Sequence, residues 1–82
     1  MFRIEFSVRA KKFLKKSRDK RILDKISQLK ENPVLYESKK IVNEEKIYRI
    51  RAGDYRILYK VNWDEKVILI IKIDKRSRIY KR

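Results

Sequence analysis

A chain of 82 residues with 25 Lys+Arg against 11 Asp+Glu carries a net charge of +14, and its length suits a single domain over residues 1–82 with one modest core. The absence of histidine and cysteine excludes Cys/His zinc sites, imidazole acid–base pairs, His-dependent triads and disulfide stapling. A positive surplus of this size points to an anionic partner, with nucleic acid or an acidic protein first.

The opening "MFRIEF" lacks the apolar stretch of a signal peptide. The longest apolar run, "VILII" at Val67–Ile71, is far too short to span a bilayer. A reducing cytoplasm and no membrane association are therefore expected.

Taken in chain order, "FRIEF" alternates Phe2, Ile4 and Phe6 with Arg3 and Glu5, the period of a strand. Ser7 follows as a helix N-cap, because its hydroxyl can accept from free backbone donors in a first turn. Ala10, Phe13, Leu14 and Ser17 then recur at helical spacing, with Lys11, Lys12, Lys15 and Lys16 mostly on the outer side. Asp19 caps a second helix, whose apolar stripe is Ile22, Leu23, Ile26 and Leu29. Asn32-Pro33 stops it, since proline disfavours a helical predecessor and offers no N–H. The short link between the two helices predicts an antiparallel helical hairpin. Residues 33–45, "PVLYESKKIVNEE", show no period and read as a connecting loop. Strands are expected over residues 46–52, 55–62 and 66–73. The resulting fold class is α+β: an N-terminal strand, two helices and a three-strand antiparallel meander. Together these form one mostly antiparallel four-stranded sheet with the helices on one face.

The segment "IYRIRAGDYRILYKV" carries the densest pattern. Gly53-Asp54 reads as a two-residue turn, with glycine supplying the positive φ that primed turns require. That register sets Ala52 against Tyr55 and Arg51 against Arg56. Alternation then puts Tyr48, Ile50, Ile57 and Tyr59 on one face, and Arg49, Arg51, Arg56 and Lys60 on the other with Leu58. Like charges across a sheet repel. A solvated outer face accounts for charge, yet all four charges here share one sign and three are arginines, whose planar fork suits phosphate. The tail "KRSRIYKR" adds Arg76, Arg78 and Tyr80, which share a face if the segment stays extended; a frayed basic tail is the alternative. Tyr48 and Tyr59 are expected to pack on the helices, Trp63 to lid the core, and Asp54 to serve the turn. Glu44 and Glu45 are read as surface residues.

One reaction fits this residue set. RNA supplies its own nucleophile, the 2′-hydroxyl, so cleavage needs alignment, cations around the phosphorane and proton transfer. Preorganised arginines provide the electrostatic part. Tyr80, Tyr55 or a lysine is left to carry the proton, because arginine stays protonated.

"YRIRAGDYRILYKV" followed by "KVILIIKIDKRSRIYKR" resembles the RelE/ParE toxin superfamily, especially archaeal RelE-like proteins. The resemblance covers essentially the whole chain. It implies the toxin of a type II toxin–antitoxin system: a ribosome-dependent endoribonuclease that cuts messenger RNA in the A site, using neither cofactor nor metal. By motif position it implies catalytic roles for Arg49, Arg51, Arg56, Arg76 and Tyr80. The remaining basic residues of the hairpin and tail, Lys60, Lys75, Arg78, Lys81 and Arg82, become candidate RNA contacts. It also implies a monomer when free, and a heteromer with a cognate RelB-like antitoxin that covers the basic site. The chain departs from the best-known bacterial RelE enzymes by carrying arginine for lysine at positions 49 and 51, and by a closer Arg76–Tyr80 spacing. The loop before the hairpin also lacks the family's frequent glycine. Two other classes compete: a ParE-like inhibitor of DNA gyrase without nuclease activity, and an inactivated toxin that binds RNA or antitoxin. A membrane-surface helix is disfavoured, because "AKKFLKKSR" has few large apolar residues.

Overall fold

The computed structural model describes residues 1–35, 37–41 and 46–75. Strand β1 spans Arg3–Phe6 and runs directly into helix α1, Val8–Lys16. Ser7 makes the transition: its side-chain oxygen accepts from the Ala10 N–H at 3.0 Å. Helix α2, Lys20–Glu31, begins at Asp19, whose carboxylate accepts from the Arg21 N–H at 2.8 Å. The hydrogen bond and the arginine beside it hold the Asp19 carboxyl down at about 2. Asn32 ends α2 in an extended conformation, immediately before Pro33.

The remaining elements are β2 (Lys39–Lys40), β3 (Ile47–Ala52), β4 (Tyr55–Asn62) and β5 (Val67–Lys75). They form one five-stranded sheet in the order β1-β5-β4-β3-β2. The expected four-stranded sheet is thus extended by β2, inside the segment read as a loop. Two residues pairing with β3 are too short to show a period, so nothing in the sequence announces them. The two lysines also blunt that sheet edge against further pairing. The meander β3-β4-β5 is antiparallel, whereas β1 lies parallel to β5, with Arg3 beside Val67 and Phe6 beside Ile70.

The core lies between the sheet and the helices. Ala10, Ile22, Ile26 and Leu29 meet Ile50, Ile57, Tyr59, Val61, Ile68, Ile70 and Ile73 there. Leu23, expected in the apolar stripe, is instead 39% exposed; one position past Ile22 is about 100° around the helix, off the buried line. Tyr59 is fully buried, and its hydroxyl donates to the Pro33 carbonyl at 2.8 Å. It also lies 2.8 Å from the Ser38 hydroxyl, and its ring stacks on Tyr48. The segment after α2 is thereby tied to the middle of the sheet. Trp63 is 48% exposed and meets Phe2 edge-on at 5.6 Å, so it covers one end of the sheet rather than the main core.

Gly53 has φ 65° in the β3–β4 turn, with Arg51 opposite Arg56 and Ala52 opposite Tyr55. A methyl group added there would also come within 2.5 Å of the Arg21 side chain. The positive φ is what favours glycine at this turn, since the Arg21 side chain can shift aside.

Candidate nucleic-acid interface

The sheet face away from the helices carries two cross-strand rows of side chains. Lys39, Arg49, Leu58 and Lys72 form one row across β2, β3, β4 and β5. Arg51, Arg56 and Asp74 form the next, nearer the β3–β4 turn. Five of these seven residues are cationic, and they converge on a flat, accessible surface.

Between the rows lies a hollow of 140 Å³ lined by Ile41, Arg49, Arg56, Leu58, Lys72 and Asp74. Leu58 and Ile41 give it apolar walls. Arg56 and Asp74 face one another across β4 and β5, with Nε to Oδ1 at 3.8 Å. Lys72 Nζ lies 3.4 Å from the other carboxylate oxygen of Asp74. With one carboxylate against three cations in its lining, the hollow keeps a positive surplus suited to a phosphate.

Lys72 and Asp74 reach this face only because β5 is irregular. Ile70 pairs with Tyr59 and Lys72 with Leu58, so Ile71 has no opposite number in the ladder. Unbroken alternation from Ile68 and Ile70 would turn Lys72 and Asp74 toward the helices and Ile73 outward. The bulge reverses this: Ile73 is 3% exposed in the core, and the two charged residues face out. Ser7 secures it by donating its hydroxyl proton to the Ile71 carbonyl at 2.6 Å while capping α1.

The sequence-predicted residues divide into four groups. Arg49 and Arg56 line the hollow, with Arg51 beside Arg56 in the same row. Lys60 lies on the same face beyond Leu58, outside the hollow, opposite Ile47 and Leu69. Lys75 belongs to the other side, where its ammonium sits 5.9 Å from the centre of the Tyr55 ring. Arg76, Arg78, Tyr80, Lys81 and Arg82, like Glu44 and Glu45, lie outside the described residues.

Tyr55, considered as a proton carrier, is on the wrong face for that task. Its ring is 9% exposed, packs edge-on against Phe13 and lies beneath the Arg21 guanidinium. Its hydroxyl is 3.4 Å from Ser17 Oγ on the helix side. Lys39, Lys72 and Asp74 were not singled out by sequence. The doublet Ile70-Ile71 ahead of Lys72 is the signal for the last two, since it breaks the period just where charge begins. Among the described residues no group of three or more His, Cys, Asp or Glu is placed to hold a metal ion, and no helix is long and apolar enough to cross a membrane.

Comparisons with known proteins agree with this architecture. A family model described as ParE toxin of type II toxin–antitoxin system, parDE, matches residues 4–80. The chain is 35% identical to a protein of Methanocaldococcus jannaschii named as toxin RelE1, over 98% of this chain and 96% of the relative. Among solved structures, the archaeal RelE–RelB complex from Pyrococcus horikoshii OT3 contains a chain that is 32% identical. It superposes with a TM-score of 0.76 over 94% of this chain and 97% of that one. The isolated E. coli RelE toxin gives a TM-score of 0.81 over 98% of this chain and 92% of its own, at 24% identity, a likeness of fold alone.

Proposed function

This chain belongs to the RelE/ParE superfamily of type II toxins, and from that premise we propose that it is a ribosome-dependent endoribonuclease acting on messenger RNA in the A site. The observation that carries the reading is the pair of cationic rows around a phosphate-sized hollow on the open sheet face.

In the proposed reaction the 2′-oxygen of one nucleotide attacks the adjacent phosphorus and the 5′-oxygen of the next nucleotide leaves. The products are a 2′,3′-cyclic phosphate and a 5′-hydroxyl end. Arg49 and Arg56 flank the phosphate and offset charge growing on its non-bridging oxygens, a contribution that is often the largest in catalysis. Arg51, at the rim, holds the neighbouring phosphate. The apolar wall at Leu58 keeps water from competing for these cations. By the resemblance in sequence, Arg76 and Tyr80 are proposed to join this chemistry, and Tyr80 carries the proton in this scheme. Lys72, which lines the hollow, is the alternative carrier. No metal is required, because the nucleophile is already part of the substrate.

The partner in the same reading is a RelB-like antitoxin, as the archaeal relatives occur in RelE–RelB complexes. A segment that shields the cationic face would complement its charge. A second reading, ParE-like inhibition of DNA gyrase, is favoured by the name of the matching family model.

Induction in a growing culture, followed by mapping of messenger-RNA 5′ ends, tests both. Codon-phased cuts within translated regions are expected, strongly diminished in Arg56→Ala and Arg49→Ala while both variants stay folded by circular dichroism. Intact messages with an induced DNA-damage response would instead support the gyrase reading. Cuts undiminished in the Arg49→Ala/Arg56→Ala double variant would remove these arginines from the mechanism.

A further inference from the structure

A carboxylate inside a phosphate-binding hollow works against anion affinity, because it repels the ligand that its neighbours attract. Asp74 nevertheless occupies that place, and a β-bulge secured by Ser7 is what brings it there. Its Oδ1 is buried and has no hydrogen-bond partner among the described residues. Facing that oxygen is Arg56, with Nε 3.8 Å away. A charge-assisted N–H···O bond closes at about 2.7–2.9 Å, so the acceptor waits roughly 1 Å short of its donor.

We infer that Asp74 is a positioning residue for Arg56: Oδ1 takes the Nε–H edge of the guanidinium, leaving its two Nη groups to face a phosphate in the hollow. The inference rests on the RNA-cleaving reading proposed above. An arginine so gripped presents a fixed planar fork instead of a swinging charge. Fixing that angle matters more for the transition state, whose geometry is narrow, than for holding the substrate. Lys72, 3.4 Å from Oδ2, keeps the carboxylate turned toward Arg56. Asp74 thus lowers the charge of the face while fixing the orientation of what charge remains.

The test compares Asp74→Asn with the unaltered chain on ribosomes programmed with a message. Single-turnover cleavage is expected to slow by on the order of tenfold or more. Binding to a message with a 2′-deoxy nucleotide at the cut site should be equally tight or tighter, because one negative charge has gone. A merely structural role would weaken both together. In an Arg56→Ala background, Asp74→Asn should change cleavage by less than about twofold, as expected for residues acting as a unit. Unchanged cleavage, parallel loss of binding and cleavage, or an undiminished effect without Arg56 would each overturn the inference. Nitrogen-15 spectra of the Arg56 Nε–H give a readout independent of activity. Slow exchange with water in the unaltered chain and fast exchange in Asp74→Asn support the grip, and identical exchange overturns it. If the unaltered chain cuts no message, the nuclease reading fails separately and this spectrum still decides the pairing.

Discussion

Tyr59 joins three parts of the molecule through one side chain: the stacked Tyr48 ring, the Pro33 carbonyl and the Ser38 hydroxyl. Burial pushes its phenol up from 10.0 to about 12. The folded state therefore keeps the proton after the unfolded chain has lost it. The stabilisation is fully present below pH 10 and declines as pH rises from 10 toward about 12. Thermal melts should show this decline in the unaltered chain and a shallower one in Tyr59→Phe. At neutral pH the same substitution should cost about 1–2 kcal/mol, because a buried carbonyl loses its donor. Equal pH dependence of the two proteins would remove Tyr59 as the source. Its packing role was legible from alternation with Ile57 and Val61. What its hydroxyl holds was not, since Pro33 lies 26 residues away in the chain. Gly53 is similar: the turn could be read from the sequence, but the Arg21 side chain that crowds it could not.

Among the elements, β5 shows best where a period misleads. Strict alternation along "VILIIKIDK" assigns Lys72 and Asp74 to the core, and only the extra residue at Ile71 resolves that conflict. Tertiary burial of Ile73 chooses the bulged register over the regular one. Ser7 links this choice to the start of α1, so one hydroxyl serves a helix cap and a strand irregularity. Ser7→Ala should destabilise the fold by about 1–2 kcal/mol in urea titrations, the usual range for a lost cap. It should also weaken binding to a short RNA, because the outward aim of Lys72, a cation of the hollow, loosens with the bulge. A loss of stability with unaltered RNA affinity would show that the bulge stands without Ser7. The basic hairpin was legible because both its strands obey the period. The bulge left only the Ile70-Ile71 doublet as a trace in the sequence, because the rest of its evidence lies in pairing between strands.

For the molecule as a whole, a net charge of +14 is large enough to govern association with an anionic partner. Affinity for single-stranded RNA should fall steeply with salt, with a log–log slope near −0.7 for each phosphate neutralised. Arg49→Ala and Arg51→Ala should each flatten that slope by about one such increment in titrations followed by fluorescence anisotropy. Slopes unchanged in both would place RNA on another surface. The fold class and the cationic face were readable from sequence because charge and period are local properties. The pairing of β1 with β5 was not, because contact between the two ends of the described chain leaves no periodic trace.

That pairing has a consequence for how the chain emerges during its own synthesis. β1 is made first, yet its neighbour in the sheet, β5, is the last strand among the described residues. β5 also brings Lys72 and Asp74 to the hollow. A nascent chain shorter than residue 75 therefore holds its early arginines on an incomplete sheet, with no assembled pocket. The cationic hollow is complete only once its last described strand has joined the sheet, which ties its assembly to the late part of synthesis.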